Sequence, residues 1–155
     1  MRPTTSEDLD GVLALLEAVA AEGRWIATEP GFDPERRRRG WGTVKASGLH
    51  LVADEEGKVV GTLSVFVPED GKYTIGMMVR RELRGRGIGS ALLEAAFVWA
   101  RERGIAVLHL DVFPHNDAAR RLYEGAGFVE TGYLAAAMPR ANGEVWDVIE
   151  MEKRL

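Results

Sequence analysis

A chain of the mixed α/β (α+β) class is predicted, with a mostly antiparallel sheet of six or seven strands flanked by about four helices, and three observations predict it. Apolar runs at 49–53, 59–67 and 73–79 are separated by the turns Asp54-Glu55-Glu56-Gly57 and Glu69-Asp70-Gly71, the pattern of an antiparallel meander. Ile88, Ala91, Leu92, Ala95 and Trp99 then recur at i, i+3, i+4, i+7 and i+11, the stripe of an amphipathic helix. That helix crosses to a further strand at 105–112, which makes one step of the sheet parallel. With 155 residues and no repeat, the chain reads as one domain over 1–155.

The elements can be justified in order. Thr5 or Ser6 caps a first helix in which Leu9, Val12, Leu13, Leu16 and Ala20 form one stripe, ending near Gly23. Two X-Pro steps and Gly31 break the chain between 24 and 33 before Pro34 opens a second helix. The run of arginines at 36–39 is spread around that helix and reads as a solvated face. After the three-strand meander and the crossover helix, which closes near Arg103-Gly104, Asn116 and Asp117 open a helix over 117–126 that ends at Gly125 or Gly127. Two last strands, 128–138 and 145–152, complete the order α-α-β-β-β-α-β-α-β-β.

Composition excludes several functions. The net charge of −4 argues against general nucleic-acid or membrane-surface binding. There is no cysteine, hence no disulfide and no thiolate nucleophile, and His50, His109 and His115 are scattered with no metal-ligand spacing, so no metal is expected. No serine sits in a G-x-S-x-G context. The N-terminus lacks a signal-peptide pattern and no run approaches eighteen apolar residues, so a cytoplasmic location is expected.

Between the strand at 73–79 and the helix after it lies the basic turn Arg84-Gly85-Arg86-Gly87-Ile88-Gly89. A helix start offers unpaired N–H groups and a partial positive charge, which together favour an anion, above all a phosphate. Glycines let a diphosphate approach the main chain, and Arg84 and Arg86 add charge. A Walker A loop would need G-K-S/T where Ile88 and Gly89 stand, and a dinucleotide fingerprint would need glycine at Ser90. Neither fits, which leaves R-x-x-G-x-G or a plain turn with solubilising arginines.

This run, together with Asn116 and with Tyr123 seven residues on, resembles the GNAT superfamily of acyl-CoA-dependent N-acyltransferases, and the element order follows that family over nearly the whole chain. Arg81 departs from it, where many members have proline. The resemblance implies acetyl-CoA as acyl donor, with its pyrophosphate on Arg84, Gly85, Arg86, Gly87, Ile88, Gly89 and Ser90 and its pantetheine arm along Met77, Met78 and Val79. It implies that Asn116 bonds the arm, although Asn116 also suits a helix cap, and that the Tyr123 phenol protonates the leaving thiolate, although a tyrosine there also suits the core.

Acyl transfer to an amine further needs a base and an oxyanion donor. Gly76 suggests a strand bulge that would free an amide near Met78 for the oxyanion. Asp111 stands where the ribosomal-protein N-terminal acetyltransferases of this superfamily have a catalytic glutamate, on one strand face with His109 and Val107; a structural salt bridge to Arg120 or Arg121 is the alternative. Glu29 is the rival base, because Thr28-Glu29-Pro30 is similar to a segment at the acceptor pocket of phosphinothricin acetyltransferases. Trp25 and Phe32, with Tyr133, Trp146 and Asp147 of the late strands, are expected to wall an acceptor pocket suited to a cationic amine. His115 is expected to be solvated, and Trp41 and Trp99 to belong to the core. The expected activity is direct acetyl transfer from acetyl-CoA to a primary amine of a small molecule or protein N-terminus, in a ternary complex. A non-catalytic acyl-CoA-binding or sensing domain is the alternative, and the late strands are suited to a homodimer.

Overall fold

A computed structural model describes residues 1–45, 48–67 and 69–155. Its elements are β1 (Arg2–Pro3), α1 (Leu9–Ala21), α2 (Pro34–Lys45), β2 (Leu49–Glu55), β3 (Lys58–Phe66), β4 (Thr74–Val79), α3 (Ile88–Glu102), β5 (Val107–Val112), α4 (Asp117–Gly125), β6 (Val129–Pro139) and β7 (Val145–Arg154). Short 3-10 turns precede α1 at Ser6–Asp8 and follow β4 at Arg81–Leu83. The seven strands form one sheet in the order β1-β2-β3-β4-β5-β7-β6, antiparallel throughout except where β4 meets β5. The expected class and element order are therefore met, with one addition.

That addition is β1, two residues paired with Val52 and Leu51. No periodic signal exists in so short a strand. It is held by the fork of Arg2 on Asp8, at 2.7 Å to each carboxylate oxygen, while Asp8 also accepts the Thr5 amide at 2.7 Å. These bonds, the Arg2 one foremost, hold the buried Asp8 carboxyl far below its ordinary range.

Two cores lie on opposite faces of the sheet. Leu92, Leu93, Ala96, Phe97 and Ala100 of α3 pack on Leu63, Val65, Leu108, Leu110 and Met151. Val12, Leu15 and Val19 of α1 pack on Val52 and Val59. The observed buried stripe of α1 uses Leu15 and Val19 with Val12, Leu13 and Ala20, while Leu16 is only half-buried. Trp41 and Trp99 pack at the core margins as expected.

The expected bulge at Gly76 is absent: β3 and β4 pair without interruption from Gly61↔Val79 to Phe66↔Thr74. At 76 a Cβ would come 3.1 Å from the Phe66 ring, a tight contact that this exposed ring would have to give a few tenths of an ångström to admit. The opening in the sheet arises instead on the other edge of β4. Here β4 and β5 pair only at Thr74↔His109 and Ile75↔Leu110, although both strands continue. Beyond that point they splay apart into a wedge.

Candidate active site

The wedge opens into a cleft of about 940 Å³, bordered by β4, the turn after it, the start of α3, the end of β5 and α4. In a paired strand successive residues turn their backbone groups to alternate edges. The Arg80 amide donates to Val60 in β3, whereas the Tyr73 carbonyl accepts from His109 and the Val79 carbonyl from Arg84. Even-numbered residues of β4 thus bond β3, and Met77 and Val79 present their backbone to the wedge. The Met78 amide, expected to be free, faces β3, and its side chain packs against the α1 core.

The glycines of the turn divide their work. Gly85 and Gly87 have φ of 76° and 83°, a left-handed backbone that side chains disfavour, and the space where a Cβ would stand is open. The Gly87 cap starts α3, so the first amides of that helix open toward the cleft. Gly89 does something else: a Cβ there would lie 2.9 Å from Leu122, so this glycine lets α3 approach α4. Gly85, Gly87, Ile88, Gly89 and Ser90 all border the cleft. Arg86 is exposed and not among the bordering residues. Arg84 also borders it, but its guanidinium is bidentate to Glu22 at 2.6 and 2.8 Å, and its Nε donates to the Val79 carbonyl at 2.9 Å.

On α4, Asn116 caps the helix through its side-chain oxygen, which accepts the Ala119 amide at 3.2 Å, and it borders the cleft as well. Tyr123, on the same helix, is 7% exposed and also borders the cleft. Among the described residues nothing hydrogen-bonds its hydroxyl, and burial pushes the phenol up to about 12. At neutral pH it is a protonated donor facing the wedge without a partner.

Asp111 lies just past the last β4–β5 pair, exposed to the cleft. Partial burial raises its carboxyl above the ordinary value, the Glu150 charge adds to that, and Lys72 and His109 oppose it. The alternative salt bridge does not form, because Arg120 pairs with Glu130 at 3.2 Å.

The residues expected to wall an acceptor pocket are placed differently in detail. Trp25 borders the cleft, its Nε1 donating to Glu22 at 2.7 Å. Glu29 does not reach it: its carboxylate accepts the Ala141 amide at 3.1 and 3.2 Å and lies 3.6 Å from Arg140. Phe32 sits under Arg37, and the Tyr133 hydroxyl donates to Asp147 on the sheet edge, so both stand off the cleft. Trp146 forms a second layer, edge-on to Phe113 and His115, which do border it. Instead of being solvated, His115 is half-buried, stacked on Phe113, with Nε2 2.6 Å from the Arg24 carbonyl.

Sequence reasoning missed Arg140 and Glu22. Arg140 is 8% exposed, donates to the Ala27 and Ile26 carbonyls at 3.0 and 3.5 Å, and lies over the Trp146 ring at 4.1 Å. It ties the 24–33 segment to the β6–β7 hairpin. Glu22 joins Arg84 of the glycine turn to Trp25, which borders the cleft from the 24–33 segment. Neither has a local signature, because each partner is distant in sequence.

Residues 14–128 match the acetyltransferase (GNAT) family, and the chain belongs to it. It is 29% identical over 154 residues to the Bacillus subtilis (strain 168) protein named "Putative phosphinothricin acetyltransferase YwnH", covering 96% of this chain and 94% of that one. The crystal structure of a ribosomal-protein-alanine N-acetyltransferase from Brucella melitensis superposes with a TM-score of 0.89 at 30% identity, covering 99% and 98% of the two chains. A phosphinothricin acetyltransferase from Sinorhizobium meliloti, solved in complex with AcCoA, shares the fold with a TM-score of 0.88 at 20% identity, covering 99% and 86%. Among the described residues no helix is long and apolar enough to cross a membrane, and no group of three or more His, Asp or Glu side chains could hold a metal ion.

Proposed function

We propose that the protein is an N-acetyltransferase that moves the acetyl group of acetyl-CoA directly onto a primary amine within a ternary complex. The observation that carries this reading is Tyr123, a buried side chain whose hydroxyl stands unpartnered at a wedge whose other wall is the edge of β4 that β5 leaves unpaired. The residues suit such a donor: open amides at Gly85 and Gly87 for a diphosphate, and the Met77 and Val79 backbone for an amide-bearing arm. When bound, acetyl-CoA supplies the activated acetyl group: a C–N bond forms, the C–S bond breaks, and the products are an N-acetyl amide, CoA thiol and one proton.

The chain's own residues manage the protons. An alkylammonium must lose a proton before it can attack, at a cost of about 4 to 5 kcal/mol at neutral pH. Asp111, its carboxyl raised by burial, accepts that proton on a carboxylate oxygen. Tyr123 donates its hydroxyl proton to the leaving sulfur and is restored by the second proton that the acylated nitrogen loses, and the Met77 amide lies on the edge from which an oxyanion donor is needed. No cysteine exists to carry a covalent acyl group, consistent with direct attack. Trp25, Phe113 and His115 give the acceptor an aromatic wall.

Two measurements test the reading together. Calorimetric titration should give tighter binding of acetyl-CoA and CoA than of ATP, and an amine panel should release CoA thiol with formation of the N-acetyl product. Preference for ATP would overturn the donor assignment. Tight acetyl-CoA binding without CoA release from any amine would leave a binding domain, not an enzyme.

A further inference from the structure

The ring of His115 is held from several sides, and its two nitrogens are not equivalent. Nε2 lies 2.6 Å from the Arg24 carbonyl oxygen. A carbonyl only accepts, so Nε2 carries the hydrogen, and in the neutral ring Nδ1 is left with a lone pair. Turning the ring over would set Cε1 against that carbonyl and give up the bond. Phe113 covers one face at 5.6 Å with the planes 5° from parallel, and the Trp146 ring meets His115 edge-on at 4.8 Å. The tautomer is therefore set by the packed chain and not by the ring itself.

Nδ1 has no task inside the molecule. Among the described residues no group bonds it, and it is not one of the buried polar atoms left without a partner, so it is open to solvent. The Glu144 carboxylate, whose charge reaches His115, accepts from Trp146 Nε1 at 3.0 Å, and the Arg24 guanidinium lies over the Trp25 ring. The open space that His115 meets is the cleft, which Trp25 and Phe113 border beside it. A histidine that only clasped the Arg24 carbonyl would need Nε2 alone. Asp111 borders the same cleft four residues earlier, a separation of at most about 14 Å in an extended chain. The turn that the Asn116 amide closes on the Phe113 carbonyl brings the two nearer, within the length of one small molecule.

We infer that His115 is a specificity-determining residue for the acceptor: Nδ1 accepts a hydrogen bond from a second N–H group of the acceptor, apart from the amine that is acetylated. An amine that also carries an amide is thereby preferred over the same amine without that N–H. This rests on the acetyl-transfer reading and names what its acceptor carries. A lone pair held at a fixed place discriminates by the donor it meets. An ester in place of the amide sets an oxygen lone pair against Nδ1 and gains nothing.

The test reads the ring and the binding without turnover. In protein labelled with 15N in its histidines, the His115 ring should show a protonated Nε2 and an unprotonated Nδ1 at mildly alkaline pH, its signals being those lost in His115→Gln. The reverse tautomer would overturn the contact. With CoA present, glycinamide, β-alaninamide and 6-aminohexanamide are each titrated by calorimetry beside the corresponding methyl ester. At least one amide should bind about two- to tenfold tighter than its ester, the worth of one neutral hydrogen bond, and should move the Nδ1 signal. His115→Gln keeps an N–H for the Arg24 carbonyl but places no lone pair where Nδ1 stands, so in it the preference should vanish. His115→Asn, whose Oδ1 falls near the place of Nδ1, should keep part of it. Equal affinities within every pair, or a preference that His115→Gln retains, would overturn the contact and leave His115 a clasp, even if CoA release from amines is observed. An amide preference that needs His115, with no CoA release from any amine, would support the contact and overturn the acetyl-transfer reading.

Discussion

The two ends of the cleft are built differently. The proposed donor end comes from contiguous chain: β4, the turn with Gly85 and Gly87, and the first turn of α3 follow one another within residues 74–90. The proposed acceptor end is assembled from segments far apart in sequence. Arg140 reaches the Ala27 carbonyl across 113 residues, Glu29 reaches Ala141 across 112, and His115 reaches Arg24 across 91. A local motif can be read as a string, since its geometry follows from φ preferences and helix-end amides. An assembled wall cannot, because each side chain's task depends on which partner the fold delivers.

If the ends are separable, substitutions should split donor affinity from acceptor chemistry, and three predictions bear on that, from the largest effect to the smallest. Tyr123→Phe should lower kcat by about 10²-fold or more, the range for a lost general acid, with acetyl-CoA affinity changed less than about threefold. Stopped-flow CoA release and calorimetry read the two quantities; unchanged turnover removes Tyr123 from the chemistry.

Asp111→Asn should cut kcat/KM by roughly tenfold or more below the pH at which the acceptor amine ionises, and much less above it. The same variant carries a signed stability effect. Because the folded carboxyl is raised, ionised Asp111 costs stability at neutral pH, and that cost disappears as pH falls through the folded value. The Asn variant should therefore melt higher than the parent at pH 7, with the advantage shrinking toward pH 4. A Tm difference independent of pH would mean that Asp111 does not titrate as described.

The smallest effect is the most informative about separability. Glu22 touches both ends, accepting from Arg84 and from Trp25. Glu22→Gln should shift the acetyl-CoA Kd and the acceptor KM together, each by about two- to fivefold, as expected for a weakened charged hydrogen bond. If only one moves, Glu22 belongs to that end alone and the two halves are independent.

Much of the donor end was legible from residues. The period of Ile88, Leu92 and Trp99 located α3, and the glycine run located its start. Gly89 was read as part of a phosphate cradle, yet its contact with Leu122 is a helix–helix approach visible only when α4 is in place. Gly76 suggests a bulge in the string, whereas in the sheet it pairs regularly and lies close under the Phe66 ring of the neighbouring strand. Of the residues expected at the acceptor, Trp25 and Asp111 border the cleft, whereas Glu29 is bound to Ala141 and Arg140. Nothing near Arg140, Glu22 or Glu150 in the string distinguishes them from ordinary surface charges.

The sequence by itself determined the periods, the punctuation and the turn chemistry, and with them the helices, the order of strands and the glycine-flanked helix start that borders the cleft. These depend on backbone sterics and on neighbours within a few residues. The tertiary structure alone decided that β4 and β5 part after Ile75 and Leu110, that the buried Tyr123 side chain leaves its hydroxyl unpartnered at the cleft, and that Asp111 stands opposite Glu150. Burial, strand register and the field of one charge on another belong to the packed chain, since each needs a partner that no local window contains.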